Sequence, residues 1–254
     1  MKKIKNIILI VLVLCGVVHA ESLFQLEMKR EILLGSLGVA LLAPDFIFEP
    51  SISDPQERKD IFPMDEMFLY SYDDKLDSLS TLGAYGALLL PGLSVLADLH
   101  DNNKLLTYGV MYGEAFLLAT GTKELLKLVV SRHRPYTYFG ELPEGEEDDY
   151  YNSFPSGHTT YAFLGASFLS STFSMDYPES RFKIPLIASS YLIAGGVGYL
   201  RIASGSHFLS DVLTGAVIGT VCGWMIPMLH LERENDRVLS IIPSGNGVLF
   251  TVKF

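Results

Sequence analysis

The sequence predicts an all-α, membrane-associated bundle of about six helices that ends in a short C-terminal β-hairpin. Three observations predict it. Residues 79–97, 159–175, 184–200 and 212–229 are apolar and uncharged, and each comes close to the roughly 20 residues that cross a bilayer. Charged residues are 19% of the 254, below the soluble average of about 25%. In the tail, Val248, Phe250, Val252 and Phe254 alternate with Leu249, Thr251 and Lys253 beyond a Pro-Ser-Gly-Asn-Gly turn, which is a hairpin pattern. Helices apolar all round also fill the interior of large soluble bundles, so a soluble bundle stays open as the alternative.

Taken in order, residues 1–20 read as a secretory signal. Lys2, Lys3 and Lys5 precede an apolar run from Ile7 to Val18, and Val18-His19-Ala20 offers a small-residue cleavage site. An uncleaved anchor is the runner-up. Leu14 stands where a lipoprotein site at Cys15 would need a small residue. Beyond residue 20 the one remaining cysteine is Cys222. It cannot form an internal bridge and reads as a small buried hydrophobe. Residues 21–230 form the helical domain and 231–254 the tail.

Residues 28–43 show helical periodicity, and Pro44 is expected to end that helix. The segment either packs on the bundle or lies at the membrane interface. Residues 45–78 carry ten acids and three prolines and read as a loop with room for a short helix. Residues 104–134 read as one long helix stopped by Pro135. Its Glu114, Lys123, Glu124 and Lys127 require a polar side facing the bundle interior or a water-filled mouth. On that helix Lys127 and Arg134, two turns apart, would share a face. Residues 140–150 hold six acids, a solvated loop or a charged gate. Gly195, Gly196 and Gly198 would allow close helix approach. His100 and His230, at helix ends, read as solvated or capping. Arg132 and His133 read as flanking surface or interface positions. Trp224 suits an interfacial belt or an ordinary core.

The formal net charge is −10, and setting aside the three N-terminal lysines leaves −13. A body that acidic does not neutralise a phosphate backbone, so nucleic acid is excluded as a partner.

Three stretches carry chemistry. Lys127 is followed by six residues and Arg134-Pro135. Pro155-Ser156-Gly157-His158 comes next. Arg201, five residues, His207, three residues and Asp211 complete the set. On a helix His207 and Asp211 would lie one turn apart, so the carboxylate could hold one imidazole nitrogen and leave the other nucleophilic. Standing alone, that pair is better read as a histidine and an acid at a helix start, and Pro-Ser-Gly-His alone as a capped turn. Together, Lys127, Arg134 and Arg201 suit an anionic phosphoryl group. Ser156 suits an N-cap, Gly157 lets backbone approach a phosphate, and a helix start binds anions. His158 is placed to protonate a leaving oxygen. No residues show zinc-ligand spacing, so neither a metal nor another cofactor is implied.

These three motifs, in this order and spacing, resemble the type 2 phosphatidic acid phosphatase family, which is itself similar to bacterial acid phosphatases and vanadium haloperoxidases. The resemblance covers residues 30–230. One departure is Leu200, where the family usually carries a small residue, often serine, before the arginine of the third motif. The resemblance implies that His207 forms a phosphohistidine oriented by Asp211. It implies His158 as general acid, with Lys127, Arg134, Ser156, Gly157 and Arg201 holding the phosphate. The expected substrate is a lipid phosphate or diphosphate, or a small phosphate ester, with membrane lipid as the surroundings. The expected place is the bacterial inner membrane with a periplasm-facing site, because the apolar runs alternate so that all three motifs fall on one side. A soluble periplasmic acid phosphatase is the alternative, and a vanadate-dependent haloperoxidase or a non-catalytic lipid-binding protein follows. The oligomeric state is not legible.

Overall fold

The computed structural model describes residues 23–48, 61–95, 101–140, 143, 149–232, 239–244 and 247–252. The signal segment, His100 and most of the acidic loop therefore lie outside the described residues. Among the described residues six long helices make the bundle: α1 (Met28–Ile47), α2 (Asp74–Leu88), α3 (Asn102–Val130), α4 (Gly157–Asp176), α5 (Lys183–Ala203) and α6 (Leu209–Leu229). Asp73 starts α2 by accepting hydrogen bonds from the Lys75 and Leu76 amides, and Asp101 starts α3 through Asn103 and Lys104, all at 3.0 Å. The backbone of β1 (Leu239–Ser244) pairs antiparallel with β2 (Gly247–Val252), with Ser240 opposite Thr251 and Ser244 opposite Gly247.

The helix α4 is the axis of the bundle. It packs against α2, α3, α5 and α6, and every residue from Ala166 to Phe173 is buried. Its apolar run therefore contacts protein, not lipid as its lack of charge suggests. The close approach of α6 is set by Gly215, Gly219 and Gly223, one per turn. A Cβ on Gly219 would lie 2.2 Å from the Thr160 carbonyl, so no larger residue fits there. On α5 the expectation fails in part. Gly198 does meet Val212 and Thr159, but Gly195 and Gly196 face open space.

Two helix ends also differ from expectation. Pro44 lies inside α1, which continues to Ile47. A proline in the last turn removes one internal backbone bond, and α1 packs along α3 with Gly38 against Leu117. The long helix α3 stops at Val130, short of Arg134. Ser131 adopts a left-handed conformation (φ 40°), and its amide bonds the Lys127 carbonyl. Arg132, His133 and Arg134 thus lie outside the helix, and Arg134 has an extended backbone.

Three segments, Asp74–Val95, Lys183–Ala203 and Leu209–Leu229, are long and apolar enough to cross a membrane. Their outward residues include Leu82, Tyr85, Leu192, Tyr199, Val217 and Trp224, all exposed. Trp224 is thus a surface residue of α6 and not core. Inside, Leu164, Phe168, Met111, Ala115, Ile218 and Ile226 form the main apolar cluster, with Cys222 buried beside them.

Candidate active site

Three loops meet at one end of α4. The first follows Ser131, the second contains Ser153 to Ser156 with a cis bond between Phe154 and Pro155, and the third joins α5 to α6. The last is tight: Gly205 has φ +68°, and a Cβ there would sit 2.5 Å from two carbonyl oxygens, those of Tyr70 and Ser71. Glycine is required on both counts. The loops are tied together through backbone bonds, from Ser153 N to Arg132 O, Ser156 N to Asp211 O and Tyr136 N to Gly205 O.

Between them opens a cleft of about 160 Å³, and Lys127, Arg134, Gly157, His158 and His207 are among its lining residues. Five of the eight residues proposed from sequence thus line one cavity. Lys127 and Arg134 reach it from different elements. Arg134 is positioned by Asp149, through the carboxylate and through the carbonyl at 2.9 Å, and by the Ser206 carbonyl at 3.3 Å. His158 Nε2 lies 3.1 Å from Thr81 Oγ1.

His207 is fully buried. Its Nδ1 lies 2.7 Å from the Ser153 carbonyl oxygen. A carbonyl only accepts, so Nδ1 carries the proton and Nε2 keeps its lone pair. Burial, and next the charges of Arg134, Arg201 and Lys127, hold the imidazole well below its ordinary pKa. The ring is neutral at neutral pH, the state a nucleophile needs.

Asp211 does not bond His207 directly; its nearer oxygen is 3.7 Å from Nδ1. It starts α6 by accepting from the Phe208 amide at 2.9 Å, and it accepts from Ser153 Oγ at 2.5 Å. Its influence on His207 therefore runs through Ser153, whose carbonyl holds the ring. Spacing of four residues suggested a direct pair, but His207 precedes α6, so the helical geometry does not apply to it. Ser156 occupies the N-cap position of α4 without a side-chain cap bond. Its buried hydroxyl lies 2.9 Å from Thr159 Oγ1. The first amides of α4 thus keep their capacity for an anion. Arg201 lies behind the cleft, its Nη1 donating to Asp77 at 2.5 Å and to Ser80 at 3.1 Å, while its buried Nε has no partner among the described residues.

Sequence reasoning missed Arg132. It is no surface residue: its guanidinium bonds Asp65 at 2.9 Å, Asp211 and Ser210 at 2.7 Å, and stacks 3.9 Å over the Phe208 ring. Asp65, fully buried, also accepts from the Ser210 amide at 2.8 Å. His133 is buried too, edge-on to Tyr151. Lys123, 4% exposed, lines the cleft beside Tyr161 and pairs with Glu124. The partners of Arg132 and His133 come from separate segments, Asp65 from residues 61–73, Tyr151 from the loop before α4, and Phe208, Ser210 and Asp211 from the start of α6, so the residues beside Arg132 in the chain do not show them.

The family model described as the PAP2 superfamily matches residues 108–234, half of the chain, and spans all eight residues. The chain is 30% identical over 188 residues to lipid phosphate phosphatase 1 of Arabidopsis thaliana, covering 59% of this chain and 55% of that protein. It is 40% identical over 86 residues to lipid A 1-phosphatase of Porphyromonas gingivalis, covering 34% of this chain and 17% of that protein. The chain spans about half the length, or less, of these curated relatives. Among solved structures, Aquifex aeolicus LpxE is similar with a TM-score of 0.46 and 26% identity, over 67% of this chain and 98% of that one.

Proposed function

Because this chain belongs to the PAP2 superfamily, we propose that it is a membrane-embedded phosphatase that hydrolyses a lipid phosphate or diphosphate through a phosphohistidine on His207. One observation carries the reading: a buried neutral imidazole, its Nδ1 proton held by a carbonyl, borders a cleft lined by Lys127 and Arg134. Nε2 attacks phosphorus, and the bond from phosphorus to the ester oxygen breaks. The departing oxygen takes a proton from His158. Burial, and next the Arg201 charge, hold the pKa of that imidazole down to about 3 in the free protein, so it gains this proton only with the arriving phosphate dianion. The cations, with Arg201 behind them and the amides of α4, stabilise charge on the phosphoryl oxygens. His158, now neutral, takes a proton from water as that water attacks phosphorus. The phosphorus–nitrogen bond breaks, and inorganic phosphate leaves with His207 neutral again. Arg201, Ser156 and Asp211 serve by position: the first faces the phosphate from below, and the others hold the loops.

The exposed apolar faces of α2, α5 and α6 support a bilayer setting, and residues 1–20 support export, with the cleft facing the periplasm of a bacterial inner membrane. The test is phosphate release by the detergent-purified protein from a panel of lipid phosphates and diphosphates beside a soluble ester, with alkaline denaturing quench to trap label on protein. Acid-labile label on the wild type and none on His207→Ala is expected. Equal turnover by His207→Ala overturns the reading, and preference for the soluble ester favours an acid phosphatase.

A further inference from the structure

A second polar cluster lies far from the cleft, where α1, the middle of α3 and the end of α6 meet. Glu31, Glu114 and His230 each offer a ligand atom there, and these atoms lie within 4.8 Å of one another. His230 is the C-cap residue of α6, the capping role its place at a helix end suggests, but it is fully buried and not solvated. Its Nδ1 lies 2.8 Å from the Ile226 carbonyl, which fixes the proton on Nδ1 and points the Nε2 lone pair inward. Nε2 then faces Glu31 Oε2 at 3.0 Å and Glu114 Oε2 at 3.3 Å. Three atoms that can each offer a lone pair converge, so either a proton or a cation must join them.

A proton on Nε2 or on the Glu114 carboxyl is the simplest candidate, but either one joins only a single pair. Given from Nε2 to Glu31 it leaves Glu114 alone, and given from Glu114 to Glu31 it leaves the Nε2 lone pair without a donor. Glu114 is 5% exposed, and neither of its carboxylate oxygens has a hydrogen-bond partner among the described residues. An ionised carboxylate left so is costly. A cation takes lone pairs from all three at once. Tetrahedral zinc, with ligands at about 2.0–2.2 Å, sets neighbouring donors roughly 3.3 Å apart, close to the two separations found. The surroundings fit as well. The other oxygen of Glu31 is held by Arg30 Nη2 at 2.9 Å and the Glu27 amide at 2.6 Å. Ligand carboxylates and imidazoles in metal sites are held from behind in this way. Glu31 is partly exposed, which gives an entry path. One imidazole and two carboxylates select a transition ion over calcium or magnesium.

We propose that Glu31, Glu114 and His230 bind a zinc-class divalent cation, which fastens α1 and the Phe24–Leu231 bridge to α3 and α6. The residues are 83 and 116 positions apart in the chain, so spacing gives no sign of them.

The test uses full-length detergent-solubilised protein stripped with chelator and titrated with zinc alone, then with cobalt as a spectroscopic probe. We expect one zinc per chain, strong visible cobalt bands of a four-coordinate site, and a raised melting temperature. Glu114→Gln and His230→Gln should each weaken zinc binding by about a hundredfold or more and abolish the cobalt bands. Should either fail to fold, Glu31→Gln at the partly exposed ligand reports the same loss. No stoichiometric zinc, affinity unchanged in these variants, or nitrogen NMR showing both His230 ring nitrogens protonated in excess zinc overturns the proposal. The readout is metal content, so it stands or falls apart from phosphatase activity.

Discussion

Two fully buried histidines of this bundle, His207 and His230, are held alike and surrounded oppositely. Each gives its Nδ1 proton to a backbone carbonyl, that of Ser153 at 2.7 Å and of Ile226 at 2.8 Å. Each therefore presents a basic Nε2 to its site. The difference lies in what Nε2 meets. Around His207 stand Lys127, Arg134 and Arg201, a setting that draws an anion to a neutral nucleophile. Around His230 stand Glu31 and Glu114, a setting that draws a cation to the same lone pair. Fixing the tautomer makes an imidazole a donor of electrons; the charges facing it choose the acceptor.

The largest effect should separate the two histidines outright. His207→Gln removes the nucleophile, and kcat is expected to fall by about four powers of ten or more, measured as phosphate release. His230→Gln, far from the cleft, should keep kcat within about threefold below its melting temperature, since it removes no interaction made in the transition state. Equal losses in both would end the distinction.

Next is Arg132, which neutralises two buried acids at the active end. Arg132→Ala leaves Asp65 and Asp211 without their cation and is expected to destabilise the protein by about 3–5 kcal/mol, read by denaturant unfolding. Arg132→Lys should recover little, because one ammonium cannot span Asp65, Asp211 and Ser210 as the planar fork does. A double variant with Asp65→Asn should lose less than the sum of the single losses.

Asp211 comes third. It acts on His207 through Ser153, so Asp211→Asn should keep the fold and lower kcat by about ten- to a hundredfold, with KM nearly unchanged. Ser153→Ala, which keeps the carbonyl, should lose less. If Asp211→Asn matched His207→Gln, a direct pairing in the working enzyme would be the better account.

The contrast also explains what the sequence made legible. The cleft is built from three stretches at one end of α4, each short and local in the chain, so Lys127, Arg134, Gly157, His158 and His207 were readable as short motifs. The helix boundaries around them were not. Helical periodicity carried α3 through Arg134, whereas Ser131 turns the chain out of the helix. Arg132 and His133 looked like surface because their partners, Asp65 and Tyr151, come from separate segments. The apolar run of α4 looked like lipid contact because hydropathy does not tell a protein neighbour from an acyl chain. The second cluster was invisible for the same reason: one residue from each of three segments makes no pattern until the bundle forms.

The smallest effect concerns pH. In the folded protein His207 resists protonation, because burial and three neighbouring cations disfavour imidazolium. In the unfolded chain it takes a proton near pH 6.5. Below that value the unfolded state binds a proton that the folded state does not, so stability falls with falling pH, by about 1.4 kcal/mol per unit for this one group. The loss begins near the unfolded value and continues until the folded ring itself protonates, well below it. Comparing unfolding free energies of wild type and His207→Gln on either side of pH 6.5 isolates the contribution: the wild type should lose more on acidification than the variant. The same logic keeps the nucleophile competent, so the amount of trapped phosphohistidine should not drop through pH 6.5 as an ordinary imidazole would require. Parallel pH curves for the two proteins, or a drop centred at that value, would mean that the cations do not hold His207 neutral.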